Sequence, residues 1–380
     1  MRRCLPPLKL LAGSALFAAG VAGVSVASAQ TRTIYSLTVP TEIEYDTNPN
    51  MSVGDSPSTT WFRVTPSLTA GYVYGNHEYS LEGALAAEKS SNSDIAKDRL
   101  DPRVRGAWKY ADGVNTTQLA ALLERRAFRD LDVREIVPTG VDGSRTLFGL
   151  SGSWTRELSD RNSFSADLRQ DWERYSDINT PDFRSTAGSL RFTRRQDERR
   201  SWYAGVNGYL YRPDEVAGTA GGTRSTAAGG LLGITQSFSE ALRIDANAGL
   251  MHFTEPTKED DWQGSFKADY TGERWLAGLE LSRAPSVNST IGRLVVNEVM
   301  LLRFRYDLGA LTRLEVDAGY SSEKAAGSKR SRAGIALVRQ WSPSWHISLR
   351  GSTHQLEEGP VGTARSNRLS LQLVYSNPDL

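Results

Sequence analysis

The chain has a single cysteine, Cys4, and after residue 26 it has no apolar run long enough for a membrane-spanning helix. Cys4 precedes the apolar run of residues 10–26, so it cannot be a lipid-attachment cysteine at a cleavage site. Because no other cysteine follows, a disulfide framework and thiolate metal sites are excluded. The lack of a second apolar run excludes transmembrane helices in the rest of the chain, since each needs about 20 apolar residues.

The chain also lacks an excess of either charge. It has 45 Lys and Arg against 44 Asp and Glu, a formal net charge of +1, and the two signs are interspersed. No basic stripe is present, so no nucleic-acid partner is predicted. The mean hydropathy of −0.42 is typical of a soluble protein. It is equally typical of a transmembrane barrel, in which only alternate residues meet lipid.

The N-terminal residues have the pattern of a cleaved secretory signal. Arg2, Arg3 and Lys9 precede the apolar run, and Ala27, Ser28 and Ala29 end it. A basic start, an apolar stretch and small residues at the end are the three parts of such a signal. We therefore predict a signal peptide at residues 1–29 and a mature chain that starts at Gln30. An uncleaved membrane anchor is the alternative.

Alternation with a period of two residues dominates the mature chain, and it is clearest between Asp261 and Arg283. One arm has apolar or small residues at every second position: Trp262, Gly264, Phe266, Ala268 and Tyr270. Polar residues fill the gaps, and after residues 271–273 the pattern restarts at Trp275, Ala277, Leu279 and Leu281. This pattern predicts a β-hairpin with one apolar face and one polar face.

The same alternation recurs in about eighteen segments along residues 30–380. Short predicted turns alternate with longer polar connections. The short turns are 75–77, 111–113, 159–161, 239–240, 271–273, 307–310 and 342–344. The longer connections are 46–60, 89–97, 126–144, 175–181, 212–223, 255–260, 285–292, 321–330 and 353–366. We predict an all-β fold: one antiparallel transmembrane β-barrel of about 18 strands, or 16, with short periplasmic turns and long extracellular loops. A soluble β-solenoid or sandwich is the alternative.

Tryptophans support the membrane prediction. Most of them fall in the predicted outward register, largely near strand ends, as in the aromatic girdles of outer-membrane barrels. They are Trp108, Trp154, Trp172, Trp202, Trp262, Trp275, Trp341 and Trp345. The predicted location is therefore the outer membrane of a Gram-negative bacterium, where the chain would contact lipids and lipopolysaccharide and depend on the barrel assembly machinery.

The inward rows carry both signs of charge. The candidate lumen-lining residues are Arg103, Arg105, Asp167, Arg169, Arg243, Asp245, Arg303, Arg305, Arg313, Glu315 and Asp317. A barrel of 16 to 18 strands is wide enough to hold water. These rows predict a hydrated channel, and a lumen closed by ion pairs and a folded-in loop is the alternative.

Residues 126–144 form the longest predicted connection, and it is densely charged. Its candidate constriction residues are Arg126, Arg129, Asp130, Asp132, Arg134 and Glu135. We predict that this loop folds inward and narrows the pore. A loop exposed on the outside has the same length and charge, so that alternative stays open.

No catalytic, cofactor or metal site is predicted. The four histidines, His77, His252, His346 and His354, cannot be grouped with a serine or an acid from sequence alone. Three adjacent carboxylates at residues 259–261 lack the spaced ligands of a calcium loop. We do not predict an enzyme, and catalysis at the outer rim is the third functional hypothesis.

The end of the first predicted strand contains the sequence Tyr45, Asp46, Thr47, Asn48, Pro49, Asn50. It resembles the start of the outer-membrane family called β-barrel porin type 2, whose first strand tends to run into a Tyr-Asp-x-Asn stretch. Asp46 and Asn48 suit an Asx turn, and Pro49 stiffens the chain that leaves it. The resemblance implies a component of an exopolysaccharide or capsule locus.

The leading functional hypothesis is therefore a passive conduit for export of an extracellular or capsular polysaccharide. Periplasmic polysaccharide-export components would be its partners. The second hypothesis is a general diffusion porin for small solutes, in which the same lumen charges screen ions.

Overall fold

The computed structural model describes residues 31–54, 56–131, 134, 142–176, 180–214, 223–255, 258–290, 292–323, 327–358 and 362–378. The predicted signal at residues 1–29 lies outside these ranges. Within them the chain forms nineteen β-strands and one 3-10 turn, Phe128–Asp130. Among the described residues, no helix has the length and apolar character needed to cross a membrane.

The strands follow one another along the chain as an up-and-down meander. They are β1 Arg32–Asp46, β2 Thr59–Val64, β3 Ser67–Tyr74, β4 His77–Ser90, β5 Arg99–Ala111, β6 Asn115–Ala127, β7 Ser144–Ser159, β8 Asn162–Tyr175, β9 Phe183–Arg195, β10 Arg200–Pro213, β11 Ser225–Ser237, β12 Leu242–Glu255, β13 Glu259–Thr271, β14 Trp275–Asn288, β15 Arg293–Asp307, β16 Thr312–Glu323, β17 Ser328–Ser342, β18 Trp345–Glu358 and β19 Gly362–Asn377.

The sheet closes because β1 pairs antiparallel with β19. The strands β2 and β3 are two halves of one barrel strand, since both pair with β1 and with β4 in a single continuous register. The break between them falls at Thr65 and Pro66, where proline cannot donate a ladder hydrogen bond. Nineteen strands with one pair merged therefore make an eighteen-strand barrel.

The outer face of the barrel is apolar. Leu81, Leu168, Leu250 and Leu302 are among many exposed large apolar side chains, and they fall on alternate positions of their strands. Adjacent strands bring these rows together in register. An apolar belt around a closed barrel matches the hydrocarbon of a membrane. The predicted all-β barrel is confirmed, and the chain is a multi-pass outer-membrane protein.

Several strands are longer than the alternation predicted. The hairpin predicted between Asp261 and Arg283 is confirmed as β13 and β14. However, β14 continues to Asn288, so it takes up half of the connection predicted at 285–292. Likewise β18 runs to Glu358 and β19 starts at Gly362, inside the connection predicted at 353–366. At 353–358 and 362–366 mainly polar residues continue the ladder without clear alternation, which is why those ends were missed. Residues 285–288 do alternate, but Pro285 interrupts the pattern of a strand.

The two ends of the lumen differ in how crowded they are. We call the end with connections such as 75–76, 112–114 and 160–161 the turn end, and the opposite end the loop end. Near the turn end the inward side chains of Glu78 and Lys109 are 56% and 46% exposed. Near the loop end the inward side chains of Glu88 and Glu124 are each only 4% exposed. The lumen is therefore wide at the turn end and filled at the loop end.

Replacement of Leu302 by arginine tests the facing assignment. Leu302 is 39% exposed on the outer face, so the variant puts a charge against lipid. We expect the stability of the folded barrel in bilayers to fall by about 2–4 kcal/mol, which is the cost of an arginine on the lipid face near mid-membrane. The folded fraction in a urea titration measures it. Ser153→Arg is the matched control, because Ser153 faces inward beside Asp167. Equal losses in the two variants would contradict the assignment.

Candidate functional site

The candidate lumen residues lie on inward rows of the wall. Several are held by neighbours: Arg169 by Asp171 at 2.7 Å, Arg305 by Asp307 at 2.9 Å, and Arg313 by Glu315 at 2.6 Å. The rest of the partnered set comprises Arg103 with Glu82 and Glu124, Asp167 with Ser189, Asp245 with Tyr203 and Thr235, and Asp317 with Arg332 and Arg350.

Three predicted lumen arginines have no ion pair within the described residues. These are Arg105, Arg243 and Arg303, which stand on β5, β12 and β15. An arginine is always charged and presents several donors in a planar fork. The inner wall therefore offers positive charge to solutes from three separate strands.

A short segment after β6 folds into the lumen. We call its described residues, 128–131 and 134, the arm. Arg129 is buried against the carboxylate of Glu88, and its guanidinium lies 4.4 Å from the ring centroid of Trp61. Its carbonyl oxygen accepts a hydrogen bond from Arg368 at 3.2 Å. The arm is thus attached to β2, β4 and β19 at its start.

Asp130 adds an ionic contact to the start of the arm. Its carboxylate lies 3.0 Å from the guanidinium of Arg63, which also pairs with Glu88 at 2.5 Å. Burial alone would raise the pKa of Asp130, but Arg63, Arg129 and Arg368 together lower it below the ordinary range. Asp130 is therefore ionised at neutral pH. Its stabilising contribution is present above the pKa of an unfolded aspartate and is lost only as the pH falls through the lowered value.

The far end of the arm reaches the opposite wall. Arg134 pairs with Glu280 of β14 at 2.8 Å, and Asn297 of β15 donates to the Arg134 carbonyl at 3.3 Å. Once β2 and β3 are counted as one strand, β6 is fifth and β15 is fourteenth of the eighteen in the wall. Those positions lie on opposite sides of the barrel. The arm therefore crosses the lumen.

The hairpin of β14 and β15 also leaves the wall at the loop end. The ladder between β13 and β14 stops at Gly264 and Arg283, although β14 and β15 stay paired as far as Asn288 and Arg293. The ladder between β15 and β16 stops at Asn297. We call the unattached residues, 284–288 and 293–296, the tip. Neither neighbouring strand extends its ladder along the tip, although the Asn288 side chain donates a buried hydrogen bond to Glu323 at the end of β16.

The tip packs on the inner surface of the wall at β9 to β12. Leu294 belongs to a buried apolar cluster, and Val287 and Val296 pack against it. The cluster residues on the wall, which we call the floor, are Phe183, Tyr211, Ala227, Met251 and Phe253. The backbone N–H of Thr223 donates to the carbonyl of Gly292 at 3.0 Å. An apolar floor inside a polar lumen is explained by the apolar face that covers it.

Two cavities remain beside the arm and the tip. One, of about 160 Å³, lies between β1 and the strands β16 to β19 and is lined by Glu44, Arg350 and His354 among others. The other, of about 320 Å³, lies between β7 to β10 and the tip, with Arg169, Tyr209 and Val287 in its lining. Both are lined by charged side chains together with hydroxyls. The loop end therefore retains polar space of small-molecule size.

The sequence motif at the end of β1 closes the barrel seam. Asp46 is fully buried, accepts a hydrogen bond from Ser366 and pairs with Arg368 at 2.8 Å. The backbone N–H of Asn48 donates to Asp46 at 2.8 Å, which is the expected Asx turn. Pro49 is buried, and Tyr45 is exposed on the outer row. The motif joins the first strand to the last.

The candidate girdle tryptophans all stand on outward rows. Near the turn end are Trp108, Trp154, Trp202, Trp275, Trp341 and Trp345, and near the loop end are Trp172 and Trp262. Trp275 stacks on Tyr270 with ring centroids 4.0 Å apart. The indole N–H of Trp108 donates to His77 at 3.1 Å. A crowded aromatic ring at the turn end suits one membrane interface.

The histidines stand apart from one another. His252 lies 2.7 Å from Asp260 on the exposed rim, and His354 lies 3.3 Å from Ser352 inside the lumen. No serine hydroxyl is bonded to the rim pair among the described residues. No group of three potential metal ligands occurs in that part of the chain either.

The remaining candidate constriction residues do not lie in the described part of the arm. Arg126 stays on the wall and pairs with Glu124 at 2.7 Å. Asp132 and Glu135 lie outside the described residues. Sequence reasoning missed Trp61, Arg63 and Glu88, which hold the arm. Trp61 is out of phase with the outward Phe62, so its parity already placed it on the inward row.

No protein-family model matches the chain, and no curated protein matches it. Among solved structures it is similar to Acinetobacter baumannii OccAB4, with a TM-score of 0.49, 9% identity, and coverage of 91% of this chain and 98% of that chain. It is also similar to the outer membrane protein OpdK of Pseudomonas aeruginosa, with a TM-score of 0.49, 11% identity, and 91% and 98% covered. A BenF-like porin from Pseudomonas fluorescens Pf-5 matches with a TM-score of 0.48, 12% identity, and 91% and 99% covered.

Charge reversal at Arg134 tests whether the arm narrows the pore. Arg134→Glu places two carboxylates together at Glu280, so the arm should leave the far wall and conductance should rise. Glu280→Arg in the same chain should restore the original conductance, with a coupling energy of about 0.5–3 kcal/mol. Arg184→Glu is the control, because its partner Asp214 is an exposed rim residue 3.4 Å away. The hypothesis fails if the swap does not restore the conductance.

Removal of the Asp46 carboxylate tests the seam. Asp46→Ala leaves Arg368 buried beside an empty position, so we expect a loss of about 3–5 kcal/mol in barrel stability. The temperature at which the folded band disappears in heat-modifiability gels measures the loss. Glu357→Ala, which breaks an exposed pair with Lys329, should cost less than about 1 kcal/mol. A seam variant as stable as that control would refute the assigned role.

Proposed function

We propose that this protein is a passive outer-membrane channel for small polar solutes. The observation that carries the proposal is a closed barrel with a charged lumen whose loop end is narrowed by the arm and the tip to small polar cavities. A lumen of this width without inward segments would be an open aqueous pore. The inward segments convert it into a filter.

Size selection follows from the two inward segments. A solute that enters from the loop end meets cavities of about 160 and 320 Å³. Sites for small molecules measure about 300–1,000 Å³. With the arm and the tip in these positions, the lumen therefore admits single small solutes. A polysaccharide chain would need both segments to move aside.

Charge selection follows from the wall. Arg105, Arg243 and Arg303 carry positive charge that no described carboxylate pairs with. Charges of one sign that line a cleft attract ions of the opposite sign and raise their local concentration. We therefore propose a preference for anionic over cationic solutes in the wide half of the lumen.

Export of a polysaccharide is the second candidate, because of one uncharged part of the wall. Asn207 and Gln263 hydrogen-bond to each other at 2.8 and 3.0 Å, and Asn247 donates to Ser265 at 2.5 Å. Amides and hydroxyls exchange hydrogen bonds readily with sugar hydroxyls. The resemblance at residues 45–50 implies the same function, with export components in the periplasm as partners.

The outward surface fits the remaining proposed partners. The apolar belt and the tryptophans of the turn end would contact lipid and lipopolysaccharide. Folding into the membrane would depend on the barrel assembly machinery. Catalysis at the rim would need a nucleophile near His252 and Asp260, and no bonded hydroxyl supports it among the described residues.

The test is single-channel recording of the refolded chain in a planar bilayer. We expect a stable conductance, anion selectivity in a salt gradient, and block by small acids and small sugars. Arg105→Ser, Arg243→Ser and Arg303→Ser together should reduce the anion selectivity. Arg156→Ser, near the turn between β7 and β8, is the control for the loss of a single positive charge.

Each result decides between the candidates. Block by small solutes with no effect of a soluble polysaccharide supports the small-solute channel. Block by the polymer at far lower concentration than by its monomer supports export. A barrel that never conducts rejects both channel functions.

A further inference from the structure

The tip has the residue pattern of a barrel wall although it lies outside the wall. Pro285, Val287, Leu294 and Val296 continue the outward rows that Leu281 and Met300 begin. The inward rows continue with Ala284, Ser286 and Asn288 on β14 and with Arg293, Val295 and Asn297 on β15, so they are mainly polar. In the wall, the apolar row would face lipid and the polar row would face the lumen. In the inward position, the apolar row faces the floor instead.

The strand next to the tip keeps a free edge. Residues 259–263 of β13 pair with β12, but the ladder to β14 begins only at Gly264. Continuation of the existing register would place Ala284 opposite Gln263, and Asn288 opposite Glu259. The wall therefore has an unoccupied position with the length and register of the tip.

The boundary between wall and tip is built around Arg283. Its guanidinium donates twice to Asp261 at 2.6 Å, pairs with Glu298 at 2.6 Å and lies 4.8 Å from the ring centroid of Trp262. The backbone N–H of Trp262 donates to the Asp261 side chain at 2.8 Å. Side chains thus take the place of the absent strand at this point. The hairpin can pivot here while the ladder below stays intact.

We infer that the tip is a gate with two seatings, the inward one on the floor and an outward one in which residues 284–288 complete the ladder on residues 259–263. The inference rests on the proposed function, because a gate has meaning only for a conducting lumen. In the outward seating the floor is uncovered and the second cavity merges with the lumen. The passage then widens at the loop end.

Both seatings bury the same apolar face, which keeps them close in free energy. The inward seating covers Val287 and Leu294 with the floor, and the outward seating covers them with lipid or the membrane interface. The inward seating gains contacts with aromatic rings and the hydrogen bond from Asn288 to Glu323, and the outward one gains ladder hydrogen bonds. Packed elements with two discrete arrangements of this kind are the usual basis of gating.

An engineered disulfide tests the outward seating. The full chain with Cys4→Ser has no other cysteine, so Val287→Cys with Asp260→Cys introduces the only pair. The two positions face each other only if the β13–β14 register continues, and a disulfide needs Cα atoms about 4.4–6.8 Å apart. We expect oxidation in bilayers to form this bond and to step the conductance upward. Reductant should reverse the step.

The matched control is Phe266→Cys with Leu281→Cys, a pair already opposite each other in the same ladder. It should oxidise without any change in conductance. We call the cysteines at 287 and 260 the gate pair and those at 266 and 281 the control pair. If the control pair oxidises and the gate pair does not, the outward seating is refuted. If the gate pair oxidises in a conducting channel and the conductance stays constant, the gate is refuted. A chain that oxidises at both pairs but never conducts supports the two seatings and rejects the channel.

A second variant shifts the balance without a change in the tip. Phe183→Ser weakens the floor, and the loss of a buried phenylalanine side chain is large. We expect the gate pair to oxidise about tenfold faster or more in this background, since about 1.4 kcal/mol is a factor of ten. The control pair should keep its rate. An unchanged oxidation rate at the Val287 and Asp260 cysteine pair would overturn the two-seating scheme. This test still applies if that pair folds poorly in the otherwise unchanged chain.

Discussion

The constraint behind this structure is that a backbone N–H or carbonyl in lipid can find a partner only on another strand. The wall must therefore close, and it does so where β1 meets β19 and the buried Asp46 joins them. A strand can leave the ladder only where water reaches the backbone. Departure of the tip from the wall is accordingly confined to the loop end, which is why the lumen is narrowed there.

Narrowing uses two kinds of contact that depend on each other. The arm is held by buried charge, with Arg129 on Glu88 at one side and Arg134 on Glu280 at the other. The tip is held mainly by apolar contact with the floor, together with the hydrogen bond from Asn288 to Glu323. Asn297 joins the two, since it stands at the base of the tip and donates to the arm. Buried ion pairs fix the arm, whereas the tip mainly exchanges one apolar surface for another and has one buried hydrogen bond to break.

Alternation in the sequence was enough to predict the barrel, its strand count and the outward rows. It could not predict the tip, because Val287 and Leu294 have the same parity whether they face lipid or the floor. Trp61 was predictable in principle, since it is out of phase with its outward neighbours. The partners of Arg129 and Arg134 were not, because contacts across a lumen join strands that are far apart in the chain. Such pairings depend on the closed wall and leave no local signal.

The lumen is wider at the turn end than at the loop end, and one-sided polymer exclusion measures this asymmetry most directly. Neutral polyethylene glycols of graded size are added to one side of a bilayer that holds a single oriented channel, and the conductance is recorded for each size. We expect larger polymers to enter from the turn end than from the loop end. Equal cut-offs from the two sides, or a larger one from the loop end, would contradict it.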